Sequence, residues 1–127
     1  MRRIIPLFFV MLAFAPYQVN AESPELTVSS FYDGNRLVAA MRGYDNLNTG
    51  SKESIDYMKA SEFRGYVFGV VDASISLQQR LYCLPQKADA QQITAVVAKY
   101  LKAKPENWHT AAHLLVLLAL QDAFPCK

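Results

Sequence analysis

YVFGVVDASI, Tyr66 to Ile75, is where an all-α reading and a β reading of this chain part company. Four to eight β-branched and aromatic residues in a row suit a buried strand as well as a buried helix. Length arbitrates for the helix. From about Glu53 to Gln79, the residues Ile55, Met58, Phe63, Tyr66, Val67, Val70, Val71, Ser74 and Leu77 trace one broad stripe at helical spacing. A helix this long and this apolar is expected to run through the core.

Downstream, Leu84, Pro85 and Gln86 break the pattern just after Cys83. Asp89 with Gln92 three residues on makes a capping box, and Ile93, Val96, Val97, Tyr100 and Leu101 follow at i, i+3, i+4, i+7 and i+8. Lys99, Lys102 and Lys104 crowd the last turns, where cations meet the negative end of the helix dipole, and Pro105 stops the helix. The lysines therefore read as a helix end and not as a binding patch. KPENWH, Lys104 to His109, is a short connection to a fourth helix, Thr110 to Phe124, whose LLVLLAL is apolar on every side and so predicts a central position. It is too short to span a bilayer, and Pro125 and Cys126 close it.

Upstream of the long helix, Asn35 is the expected cap of a short first helix in which Leu37, Val38, Met41 and Tyr44 recur at helical spacing. DNLNTGSK, Asp45 to Lys52, is expected to be an exposed, turn-rich linker of variable conformation. No internal repeat, low-complexity tract or convincing strand pair occurs. The predicted fold is all-α, a small bundle of four to five helices forming one domain over residues 35–127.

The N-terminus reads differently. Met1, Arg2 and Arg3 form a positive n-region, Ile4 to Ala15 an apolar h-region, and Val19, Asn20 and Ala21 a small-x-small cleavage site, which together predict a signal peptide over residues 1–21, cut after Ala21. The apolar run is about a dozen residues, short of the ~20 needed to span a bilayer. Residues 22–34 are expected to form an extended arm. Removing the signal leaves 106 residues carrying eleven basic and eleven acidic side chains, so the apparent charge of +2 belongs to the signal. A nucleic-acid binder needs a basic stripe to displace phosphate counterions, and none is present. With 52% hydrophobic residues the chain is not a disordered one, and with two cysteines it is not a disulfide-dense miniprotein.

Export governs how the cysteines are read. Cys83 and Cys126 are an even count bound for an oxidising compartment, so pairing is the default and only one connectivity exists. In the chain-entropy model such a loop contributes roughly 4 kcal/mol, a large share of the ~5–15 kcal/mol of a small domain. The alternative, a free nucleophilic thiol with His109 or His113 as base, is the weaker reading.

Other constellations are incomplete. His109 and His113 stand four apart, a spacing that on a helix would align two metal ligands, but Thr110 occupies the place where a zinc protease needs glutamate, and Glu106 precedes Trp108 in what reads as loop. There is no GxSxG elbow and no phosphate-cradling glycine loop, so neither an enzyme, a cofactor nor a metal is expected.

Two features point to contacts instead. Within FRGYVFGVVDA, residues Gly65, Gly69 and Ala73 recur every four positions, leaving a strip without side-chain bulk that lets another backbone approach. The neighbour is either another helix of the same chain or a second subunit. Tyr66 and Asp72 flank the strip, and Asp72, if buried, needs a hydrogen-bonding partner. Trp108, the single tryptophan, stands in the connection beside Lys104, Glu106, Asn107 and His109, where it serves either recognition or the sealing of the bundle's end.

The order GYVFGVVDA, YCLP (Tyr82 to Pro85), ITAVVAKYL, KPENWH and ALQDAFPC resembles the Rap/Tai family of type VI secretion amidase immunity proteins over roughly Asn35 to Cys126. The resemblance implies a periplasmic, all-α, dimeric protein with no catalytic residue of its own, which binds a peptidoglycan-cleaving cysteine amidase and blocks its active-site groove. It further implies that a second cysteine pair of some family members is replaced here by Met41 and Phe63. For the element entering the groove, the expectation is Lys104 to His109, with Asp45 to Lys52 as the next candidate. A periplasmic acid-stress chaperone of small helical dimer type fits the same composition and is the alternative.

Overall fold

The computed structural model describes residues 30–77 and 81–127. Four α-helices follow one another: α1 (Gly34–Asn48), α2 (Ser54–Ser76), α3 (Ala90–Ala103) and α4 (Ala112–Ala123), with a single 3-10 turn at Pro105–Asn107. The all-α bundle of the sequence reading is thus what forms, and Tyr66 to Ile75 is helical throughout. The predicted signal peptide and most of the predicted arm, residues 1–29, lie outside the described residues, as do Gln78 and Gln79 at the predicted end of the second helix.

Each helix boundary has a local cause. Asp33, not Asn35, caps α1: its carboxylate accepts from the Arg36 amide at 2.8 Å, so the helix starts one residue before Asn35. Asp45 to Asn48 continue α1 instead of belonging to a linker. The helix ends in a Schellman motif, in which Ser51 N–H donates to the Asn46 carbonyl (2.9 Å) and Gly50 N–H to the Leu47 carbonyl (3.1 Å). Gly50, at φ 100°, supplies the left-handed conformation this motif requires. The Asp89 cap of α3 forms as expected, accepting from Gln92 N–H at 2.7 Å, and α3 stops at Ala103 ahead of Pro105.

The core lies between the helices. α1 contributes Leu37, Val38, Met41 and Tyr44, α2 Ala60, Phe63, Val67 and Val71, α3 Ile93, Val97 and Leu101, and α4 Leu115, Val116 and Leu120. Met41 and Phe63, where the resemblance implies a cysteine pair in some relatives, are both buried. The inward face of α2 runs through Asp56, Ala60, Phe63, Val67, Val71 and Ser74, which rotates the broad stripe of the sequence reading: Ile55, Met58 and Leu77 are exposed. α4 is not enclosed on every side, because Leu114 and Leu118 remain 47% and 44% exposed.

Two long-range ties close the bundle. Cys83 and Cys126 form the expected disulfide, their Cα atoms 5.0 Å apart, and Cys83 N–H donates to the Phe124 carbonyl at 2.8 Å. At the other end of the chain, the extended segment before α1 is bonded to the start of α4: Gly34 N–H donates to the Thr110 carbonyl (2.8 Å) and Ala112 N–H to the Tyr32 carbonyl (3.0 Å). This part of the predicted arm is therefore tied to the domain. The buried Ser74 and Tyr82 hydroxyls are hydrogen-bonded to one another, which anchors the segment following α2.

Candidate partner-binding surface

Lys104 to His109 is a rigid connection. Proline at 105 ends α3, and a 3-10 turn follows in which Asn107 N–H donates to the Lys104 carbonyl (3.1 Å) and Trp108 N–H to the Pro105 carbonyl (3.3 Å). The Thr110 hydroxyl and amide both donate to the Asn107 carbonyl, at 2.8 and 3.0 Å. The indole of Trp108 donates to the Leu101 carbonyl at 2.8 Å, satisfying an acceptor that the end of α3 would otherwise leave open. The Arg42 guanidinium lies 5.9 Å above the indole ring. Trp108 thus seals the bundle, while Lys104, Pro105, Glu106 and His109 form the exposed edge and Asn107 is half-buried.

The two histidines do not share a helical face. His109 precedes α4 and is exposed, whereas His113 stands in the first turn of α4. Among the described residues no three His, Cys, Asp or Glu side chains gather as metal ligands.

Internal helix packing does not account for the small-residue strip. Gly65, Gly69, Asp72 and Ala73 are all exposed, and a Cβ added at either glycine would meet nothing within 4 Å. The reason lies in the rotation of α2: the strip stands opposite its buried face. Asp72 accordingly needs no buried partner. Tyr66 is half-buried and stacks on Tyr32, ring centroids 4.5 Å apart. The Tyr32 hydroxyl donates to Glu62 at 2.8 Å, and Glu62 pairs with Arg36 at 3.4 Å. Burial and the Glu62 hydrogen bond push the Tyr32 phenol well above its ordinary value, and burial also raises Tyr66 against the pull of the His113 backbone.

One constellation escaped the sequence reading. Asp56, in the first turn of α2, accepts from the Ser51 hydroxyl at 2.6 Å and from the Asn46 side-chain amide at 3.0 Å. These two bonds, from Ser51 first and Asn46 second, hold its carboxyl below the usual carboxylate range. Its contribution to stability is therefore full above the unfolded carboxylate value of about 4 and is lost as pH falls through the lower folded value. The available signal was an aspartate facing the buried side of a helix beside a glycine-containing turn. An open cleft of about 440 Å³ lies nearby, lined by Tyr44, Asn48, Arg64, Phe68, Gln91 and Thr94, with the Arg64 guanidinium 5.3 Å above the Tyr44 ring.

No helix among the described residues is long and apolar enough to cross a membrane. A search of curated proteins finds no match to the chain. The family model of the Rap1a immunity proteins matches residues 33–126, from the aspartate that caps α1 to the second half of the disulfide. That match spans every helix and both connections described above, and it carries an immunity function against a type VI secretion effector. The chain belongs to the Rap1a immunity protein family.

Proposed function

We propose that this chain is a periplasmic immunity protein that binds a type VI secretion peptidoglycan amidase and obstructs its active-site groove. The observation that carries the reading is the extent of the family match, which is coextensive with the folded domain. A disulfide between the two cysteines fits an oxidising compartment, and a signal peptide over residues 1–21 would deliver the chain there.

Inhibition is steric. The exposed edge Lys104, Glu106 and His109, with the half-buried Asn107 between them, meets the amidase, and Trp108 holds that edge in place through its bond to Leu101. A preformed edge loses little conformational entropy on binding, which favours affinity. The protein acts as a homodimer, with the bare strip Gly65, Gly69 and Ala73, flanked by Tyr66 and Asp72, as the subunit contact. Close backbone approach is what such a strip permits.

The test uses the mature chain, purified oxidised, and the type VI secretion peptidoglycan amidase of the cell that makes it. Stoichiometric binding that stops the amidase from releasing fragments from isolated peptidoglycan is the expected result. Full amidase activity in the presence of excess chain would refute the reading.

A further inference from the structure

Gly34 opens α1 in ordinary helical backbone, since the left-handed conformation that favours glycine occurs at Gly50. Any residue adopts that backbone; space is what forbids a side chain. A Cβ at position 34 would stand 2.5 Å from the Trp108 carbonyl oxygen and 3.0 Å from its carbon, and closer still to the Leu115 side chain. A leucine methyl can rotate away. The Trp108 carbonyl is backbone, and it moves only if the α3–α4 connection moves with it.

The same glycine is bonded to that connection. Its N–H donates to the Thr110 carbonyl at 2.8 Å, and Thr110 donates through its amide and its hydroxyl to the Asn107 carbonyl. Ala112 N–H donates to the Tyr32 carbonyl at 3.0 Å, so Tyr32 to Gly34 run antiparallel to residues 110–112. Tyr32 anchors this short segment on α2: its ring stacks on Tyr66 and its hydroxyl donates to Glu62. Arg36 lies 4.7 Å above the Tyr32 ring and pairs with the same Glu62. Lys104 to His109 is therefore held from two sides, from α3 by the Trp108 indole and from α1 and α2 by the segment ending in Gly34.

We propose that Tyr32 to Gly34 is a strap that sets where the α3–α4 connection stands, with Gly34 as its positioning residue. The missing side chain lets the Trp108 carbonyl settle against the start of α1, and this fixes the backbone that presents Glu106 and His109. A contact edge held in one shape before binding loses less conformational freedom when it binds. The role in recognition rests on the proposed function, in which this edge meets the amidase, but the strap is a property of the free chain and is tested separately.

Trp108, the single tryptophan, reports on the connection directly. In oxidised Gly34→Ala with the parent's helical circular dichroism, Trp108 emission should shift to the red and acrylamide should quench it more readily. A lower denaturation midpoint with unchanged emission and quenching would make Gly34 a packing residue only and overturn the positioning role. If Gly34→Ala does not fold, Tyr32→Phe decides, because it keeps the stack, loses the Glu62 bond and intrudes on nothing. Amide exchange at Gly34 and Ala112 should then accelerate while Val97 and Leu101 keep their protection; equal exchange overturns the strap. Against the type VI secretion peptidoglycan amidase of the cell that makes this chain, Gly34→Ala should bind about tenfold more weakly, and Tyr32→Phe should move in the same direction. A shifted Trp108 signal with parental affinity overturns the recognition role. A parent chain that does not bind the amidase overturns the functional reading, while the emission and exchange results still decide the strap.

Discussion

α1 and α2 each carry two glycines, and the two pairs answer to opposite surroundings. In α1 a Cβ on Gly34 would collide with the Leu115 side chain and the Trp108 carbonyl, and one on Gly43 with Lys59 Cβ and the Asp56 carbonyl. In α2, Gly65 and Gly69 face open space. Yet it was the second pair, with its regular four-residue spacing, that read as a close-approach seam. Spacing identifies a bare strip on a helix; what lies opposite that strip is decided by how the helix is rotated in the bundle. An exposed mid-helix glycine costs roughly 0.5–1 kcal/mol relative to alanine, and nothing packed against Gly65 or Gly69 within the chain offsets that cost. The proposed subunit contact is what would offset it.

The contrast can be broken at several points. The largest effect belongs to the inward face of α2, where Phe63→Ala should destabilise by about 3–5 kcal/mol in chemical denaturation, because the ring is fully buried and tilted against Tyr44 at 5.6 Å. A loss below about 1 kcal/mol would mean that the face assignment is wrong. Gly43→Ala should cost about 1–3 kcal/mol, since the new methyl meets backbone as well as side chain and neither yields easily. Gly65→Ala and Gly69→Ala should have the opposite sign in dilute monomer, raising stability by about 0.5–1 kcal/mol each. Under concentrated conditions the same two substitutions should weaken self-association in sedimentation, and a dimer of unchanged strength would remove the strip from the subunit contact.

Much of this architecture is legible in the sequence. Asp89 followed by Gln92, a clean apolar period and Pro105 bracket α3 with chemistry that has only one local solution, and the helix formed where that chemistry placed it. The disulfide followed from an even count of two. Other features were not legible, for physical reasons. Tyr66 to Val71 is apolar almost all round, so periodicity makes it helical but cannot orient it, and Ile55 and Met58 were assigned inward although they face out. Asp33 and Asn35 are both competent caps two residues apart, and tertiary bonds from Gly34 and Tyr32 to the start of α4 favour the former. The end of α1 was hidden because Asn and Gly read as linker, whereas here Gly50 is the left-handed residue of a helix cap.

The connection residues divide in the same way. Lys104, Glu106 and His109 could be named from the break at Pro105, and the structure places them on an exposed edge. Whether Trp108 faced a partner or the bundle was undecidable from one tryptophan in a loop, because its indole could donate to any carbonyl within reach. It donates to Leu101. Asp56 gave less warning still. Its partners, Asn46 and Ser51, come together only because the turn between the helices folds back.

The most direct test of the central claim is survival. Cells that express the cognate type VI secretion amidase in their own periplasm should lyse, and co-expression of this chain with residues 1–21 retained should keep them intact. Lysis at the same rate with and without the chain, when both proteins accumulate in the periplasm, would contradict the account.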